Sequence, residues 1–226
     1  MARILTQPKN NIAMKKIITS LFCVIATQLL RLIADIYQYK FLITSNEREN
    51  IVLTSGINDT IHLIALFSFI LFYLISIITF VQWFRRAYFN LHIYIKTLTF
   101  SEGWAAGCWF VPIINLFRPF QIMNELYKET DYYLSKKHHN YTIKLKSRFL
   151  GWWWALFLIS YAARQVATRF TLKADSLDKM TFSTIITIIS TIISIALSLI
   201  TIKVIKDYSS AETLLTEVKA ENQLQP

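Results

Sequence analysis

The sequence predicts an all-α integral membrane protein with four transmembrane helices and a re-entrant or interfacial helical segment on the cytoplasmic side. Three observations carry this. The 226-residue chain is 54% apolar, more than a globular domain usually is. Its apolar residues are gathered into long runs instead of being spread along one helical face, which is the mark of membrane spans. Its Lys and Arg residues are distributed unevenly between those runs, so the connections sort onto two sides of a membrane.

The elements follow in order. Residues 1–16 form a short basic arm with Arg3, Lys9, Lys15 and Lys16 and no acid. The first span is expected at about Ile17–Tyr39. Leu21 and Phe22 are too large for lipoprotein processing at Cys23, so this run reads as a retained anchor and not a signal peptide. A polar connection is expected from Thr44 to Thr60, carrying Glu47, Arg48, Glu49 and Asp59. The second span is expected at about Ile61–Phe84, stopping at Arg85-Arg86. The third is expected at about Phe149–Thr168, opening on Trp152-Trp153-Trp154, and the fourth at about Thr181–Ile202, rich in Ile, Ser and Thr. The membrane domain thus covers 17–202, and residues 203–226 form a polar tail that continues as a frayed helix.

Charge counting orients the chain. The arm carries four Lys and Arg, and the connection from Thr44 to Thr60 carries one. The region from Arg85 to Arg148 carries ten, the connection from Arg169 to Lys179 three, and the tail three. The arm and the central region are therefore cytoplasmic, and both termini lie inside. The net charge of +10 serves topology. No nucleic-acid partner is expected, because no nucleic-acid-binding motif accompanies the charge.

The segment Gly103–Pro119 is apolar enough to enter a bilayer but is interrupted by two glycines, two prolines, Asn115 and Arg118. Irregular backbone at membrane depth must be covered by protein or must line a cavity. If it crossed, one of two strongly basic flanks would be translocated, against the charge rule. It is therefore expected to dip into the inner leaflet and return, within a re-entrant or interfacial region at about 100–135. Gly103 and Gly107 share a helical face and would let another backbone approach closely. Pro112 removes a donor and bends the chain. Trp104 and Trp109 suit a lipid–water interface. Asn115 and Arg118 share a side if the turn is helical. Asn115 would satisfy freed carbonyls, and Arg118 would bind a lipid phosphate or pair with Glu102 or Glu125. A plainer reading is that these residues close and anchor a turn. The flanks, with Tyr88, Leu91, Ile95 and Leu98 before and Phe120, Met123, Tyr127 and Leu134 after, read as helices in the headgroup plane. Alternatively they are loop helices packed on each other. Pro119 fits a first helical position.

These residues form a longer pattern. Arg86-Ala-Tyr-Phe-Asn90-Leu91, then Gly103-Trp-Ala-x-Gly-x-Trp-Phe-x-Pro112, then Asn115-Leu-x-Arg118-Pro119 with Gln121 and Met123, resemble the hallmark of a bacterial membrane-protein family, domain of unknown function 4328. The likeness extends to Gly151-Trp-Trp-Trp and covers roughly Ile61 to Arg169. It implies a multi-pass membrane protein of unassigned activity in a bacterial inner membrane. The family often has Pro where this chain has Glu102, and often a long N-terminal extension where this chain has a short basic arm.

A second constellation is expected at the opposite face. Arg31 and Arg164 sit equally deep in spans that both start inside. Asp35 is one turn beyond Arg31, and His62 opens the second span. Charges at such depth pair, face the bundle interior or snorkel. A register-fixing lock is the plainer use, and ion handling is the sharper one. His138-His139, without spaced Cys, Asp or Glu partners, reads as solvated, and no metal or cofactor is expected. No catalytic motif is present. The functional expectation is a non-catalytic scaffold or regulator acting through membrane lipids, including anionic headgroups, a membrane-protein partner or a second copy. A transporter or channel component using the broken segment and the arginine cluster is the alternative. A lipid enzyme with Asn115 and Arg118 on a phosphate lacks a base or nucleophile. The topology predicts that a cysteine placed at Lys137 stays unlabelled by maleimide added outside. Strong labelling there would overturn the four-span arrangement.

Overall fold

The computed structural model describes residues 10–44, 49–137, 141, 145 and 147–224. The arm through Lys9, Glu47, Arg48 and the His138-His139 pair lie outside the described residues, as do the side chains of Glu49, Asp59 and His62. The described chain is helical: α1 (Asn11–Thr44), α2 (Glu49–Tyr94), α3 (Glu102–Gly107), a 3-10 turn (Ile114–Leu116), α4 (Arg118–Lys137), α5 (Ser147–Leu172) and α6 (Leu177–Leu224). The apolar runs became helices because a backbone out of water must satisfy its polar groups within the segment.

Three helices are long and apolar enough to cross a membrane, within Asn11–Thr44, Leu63–Tyr94 and Leu177–Val218. α5, interrupted by Arg164, is not among them. Two expectations need correction. The polar connection from Thr44 to Thr60 is helical from Glu49 onward, and α2 runs unbroken for 46 residues. The segment from Tyr88 to Tyr94 is the end of that helix and not a separate surface helix. No Pro or Gly interrupts it after Gly56, so nothing in its local chemistry ends the helix at the Arg85-Arg86 boundary.

The chain divides into two compact units, one of residues 1–19, 77–154 and 201–226, the other of residues 20–76 and 155–200. This differs from the expected division into arm, membrane domain and tail. The first unit has a conventional apolar core, with Ile17, Trp83, Phe84, Tyr88, Leu91, Ile122, Leu126, Trp153 and Tyr208 buried. α4 commits its apolar stripe, Ile122, Met123, Leu126, Tyr127 and Leu134, to that core, so the stripe is covered by the chain itself and not laid on headgroups. The expected frayed tail is instead the end of α6. Tyr208, Ala211, Leu215 and Val218 recur at helical spacing and are buried, and one buried face holds a helix that charge alone would leave solvated.

The second unit is built the other way round. Its buried positions include Thr27, Gln28, Asp35, Ser160, Ser183, Thr184, Ser190, Thr191, Ser194 and Ser198, while Leu30, Ile33, Ile64, Phe67, Leu71, Ile189 and Ile192 are exposed. Small hydroxyl residues inside and large aliphatics outside suit a helix bundle whose solvent is hydrocarbon. Many of the hydroxyls bond back to a carbonyl one turn earlier, as Thr187 does to Ser183 and Ser198 to Ser194. The fourth-span Ser and Thr residues therefore cost little to bury.

A cluster of polar side chains is buried in the first unit's core. Glu212 accepts from the Asn90 side-chain amide at 2.6 Å and from that of Asn10 at 3.0 Å. All three residues are buried. Asn10 also supplies the carbonyl that receives the Met14 amide at 2.8 Å, at the start of α1. The carboxylate thus joins the starts of α1, the end of α2 and the end of α6. Glu212→Ala would remove the acceptor that two buried amides share, leaving the Asn10 amide its longer bond to the Trp83 carbonyl at 3.5 Å, and is expected to lower unfolding free energy by about 2–3 kcal/mol. Lys206→Ala, at an exposed site of the same helix, is expected to change it by less than about 0.5 kcal/mol. Equal losses in thermal or denaturant unfolding of the two variants would show that this clasp of Glu212, Asn90 and Asn10 contributes nothing to stability.

Candidate functional site

The broken segment is built outward from an anchored base. The Tyr88 hydroxyl donates to Glu125 at 2.6 Å, and the Thr99 amide donates to the other carboxylate oxygen at 2.7 Å. The Phe100 amide reaches the Tyr88 hydroxyl at 3.3 Å, and His92 Nε2 lies 2.9 Å from the Phe100 carbonyl. The chain leaving α2 is thereby pinned to α4 before α3 begins. The Arg118 guanidinium sits over three rings, 4.7 Å from Phe100, 5.8 Å from Phe117 and 5.9 Å from Trp104. Cation–π stacking of this kind fixes the base while leaving the guanidinium edge for other bonds.

Arg118 therefore pairs with neither expected carboxylate. Glu125 is committed to Tyr88 and Thr99, and Glu102 lies 3.9 Å from Arg85 in an exposed pair of little energetic weight. Arg86 is exposed beside Arg85, Gln82, Phe89 and Glu102 around a surface cleft. Asn90 belongs to the Glu212 clasp and not to the segment.

The two limbs of the segment are held by aromatic side chains. Trp109 packs edge-on against Phe80 at 5.3 Å, Phe84 at 6.3 Å and Trp154 at 6.2 Å. The Trp154 indole donates to the Leu116 carbonyl at 3.1 Å. Asn115, expected to satisfy freed carbonyls, has a buried side-chain oxygen without a hydrogen-bond partner; the carbonyl next to it is taken by Trp154. Asn115 and Arg118 do not share one helical face, because Phe117 at φ −140° separates the 3-10 turn from α4. Pro119 is the second residue of α4 and is buried. A side chain at Gly107 would meet nothing within 4 Å, and at Gly103 would touch only the Ser101 hydroxyl at 3.9 Å. The expected close backbone approach at these glycines is absent among the described residues, since α3 is only six residues long and nothing is laid against that face.

Between the limbs the backbone turns sharply. The Ile114 amide donates to the Pro112 carbonyl at 2.8 Å, with Ile113 at φ 68° and ψ −53°. This is a γ-turn of the rare, strained hand, centred on a β-branched residue that ordinarily avoids positive φ. The turn throws its apolar side chains outward. Phe110 is 72% and Ile113 75% exposed, and Val111, Leu116 and Phe117 are exposed beside them.

In the second unit, Arg31 and Asp35 form an ion pair at 3.8 Å. Arg164 donates to the Ser194 hydroxyl at 2.9 Å and stacks over Phe69 at 4.9 Å and Tyr73 at 5.6 Å. Arg31 and Arg164 line one cavity of about 400 Å³. Among the described residues no group of three or more His, Cys, Asp or Glu could hold a metal ion.

The residues that sequence reasoning missed are the partners: Glu212, Asn10, Glu125 as a loop anchor, Ser194 and the Trp154 indole. Glu212 carried one signal, an acid inside the stripe of Tyr208, Ala211 and Leu215. Nothing local marks Asn10, 202 positions away.

Among the described residues the chain is helical, three helices are long and apolar enough to cross a membrane, and one unit has an apolar exterior, which are the properties of a membrane protein. The chain belongs to the family described as Domain of unknown function (DUF4328), whose model matches residues 53–210. No curated protein and no solved structure matches it. The match takes in Arg86, Asn90, the whole Gly103–Pro119 segment and Arg164, and extends nearly to Glu212.

Cys108 tests the packing at the base of the segment. Burial pushes its thiol up to about 12, against smaller lowering by its backbone and by Arg118. The thiolate is the reactive form. In the native protein at pH 8, Cys108 is expected to resist alkylation and to label only on denaturation. Rapid native labelling would show that the segment opens.

Proposed function

We propose that this protein is a multi-pass inner-membrane protein that acts as a non-catalytic scaffold or regulator through the 103–119 segment. The observation that carries the reading is the exposed apolar tip of Phe110, Val111, Ile113, Leu116 and Phe117 on an anchored base. Strain at a backbone site persists when the surrounding structure over-determines it. Here it serves to present an apolar edge that water would not favour. The contact proposed for that edge is the inner-leaflet acyl region or the apolar face of a membrane partner.

Four spans, both termini inside and a dip of the segment into the inner leaflet complete the reading. The Lys and Arg distribution supports the orientation. α5 joins the three long apolar helices as a span, the third of the four in chain order. Its connection to α6 is only Lys173–Ser176, and Phe170 meets Phe182 at 5.3 Å across it, so α5 runs back alongside α6. Its one central charge, Arg164, is held by a hydroxyl and two rings. That is how charges within spans are accommodated. A transporter or channel component is the second reading, favoured by the cavity between Arg31 and Arg164.

Phe110→Trp in vesicles containing brominated lipids tests the tip. Its fluorescence is expected to be quenched strongly by bromines near the headgroup end of the acyl chains. An unquenched, water-exposed spectrum would exclude insertion, and a photocrosslinker at Phe110 in native membranes would then report whether a protein covers it. Solute flux in liposomes that falls with Arg164→Gln would favour the transport reading instead.

A further inference from the structure

We propose that the cavity of the second unit bounded by Arg31 and Arg164 binds an anionic group, a phosphate or a carboxylate. The inference concerns a different site from the 103–119 segment and does not depend on that segment's role. The cavity, about 400 Å³, is lined by two cationic side chains together with Gln28, Thr187, Ser190, Thr191 and Ser194, and by Phe69 and Tyr73. Among the described residues that line it, none is acidic.

The charge balance points to an anion. Among the described residues the one ion pair made by either arginine is Arg31 with Asp35, at 3.8 Å. Arg164 has a serine hydroxyl and two ring faces. Two guanidinium groups therefore face one cavity with a single carboxylate behind them. Like charges in a low-dielectric interior repel, and an uncompensated charge there is costly. An anion in the cavity would relieve both costs.

The donors are also built for it. Each guanidinium has five N–H groups in a planar fork, and ring stacking occupies the face of Arg164 while leaving its edge available. Ser194 is buried and accepts from Arg164 at 2.9 Å and from Gln28 at 2.8 Å, so its orientation is set by two donors. Gln28 is buried, and its own side-chain oxygen has no hydrogen-bond partner. That oxygen would accept from the O–H of a monoprotonated phosphate. Ser190 and Thr191 are buried hydroxyls on the same wall, and further donors of this kind suit oxyanion oxygens. A phosphate could arrive free or as a lipid headgroup, and the chemistry of the site is the same for both.

The full chain is reconstituted in phosphatidylcholine nanodiscs and titrated with inorganic phosphate at fixed ionic strength, with chloride as control, while the thermal midpoint is followed. In a parallel arm, phosphatidylglycerol replaces part of the phosphatidylcholine without added phosphate. The midpoint is expected to rise in at least one arm, and Arg164→Gln is expected to weaken that response about tenfold or more. A response to phosphate alone assigns a soluble anion, and a response to phosphatidylglycerol alone assigns a headgroup. Should Arg164→Gln fail to fold, Arg31→Gln carries the comparison, since its side chain is 29% exposed. No response of the unaltered protein in either arm overturns the proposal whatever the variants do. A response that survives undiminished in both variants overturns it as well.

Discussion

The carboxyl group of Glu212 is where three distant stretches of chain meet. Asn10 brings the entry to α1, Asn90 the end of α2, and Glu212 itself the end of α6. Around it, Trp83 packs on Tyr208 at 6.0 Å, and the Tyr127 hydroxyl donates to the Val204 carbonyl at 2.7 Å. The indole of Trp153 donates to Thr201 at 3.0 Å. Each of these contacts requires α6 to lie against α2, α4 or α5 in one register. A buried polar group that is satisfied in only one arrangement penalises every other arrangement. The apolar core supplies cohesion, and the clasp selects among ways of packing it.

The two units solve opposite solvation problems with the same helices. α1, α2, α5 and α6 each contribute one stretch to each unit. In the first unit large aromatic and aliphatic side chains go inside. In the second they go outside, and Ser, Thr and Gln go inside. Hydrocarbon gives no advantage to burying a leucine, so packing there falls to small residues and internal hydrogen bonds. Arg164 follows the same logic, with Ser194 and two aromatic faces standing in for water.

The broken segment depends on the first unit for its shape. An Ile at φ 68° is not a local preference, and its neighbours hold it from both sides. Trp109 inserts into the aromatic cluster, Trp154 holds the Leu116 carbonyl, and Arg118 is clamped between rings. Rigid support beneath an exposed apolar edge is what a contact surface needs if it is to bind without paying for ordering.

Composition and periodicity alone determined that the chain is helical, membrane-bound and broken at Gly103–Pro119. Those properties follow from hydropathy, from helix breakers and from i, i+4 spacing, which are local. The Arg31–Asp35 pair was legible for the same reason, being one turn apart on a single helix. The charge pattern also suggested a polar tail and a polar connection after Thr44, and both are largely helix; in the tail, a charged surface does not reveal the buried opposite face of Tyr208, Ala211 and Leu215. Only the tertiary structure decided that α4 spends its apolar stripe on the core, that Asn90 serves Glu212 and not the broken segment, and that Arg118 stacks on rings instead of meeting a carboxylate. It also brought Arg31 and Arg164 to one hydroxyl-lined cavity. Each of these outcomes is a choice among partners far apart in the chain. Such choices are set by shape and desolvation across the packed interior, and no local pattern of residues carries that information.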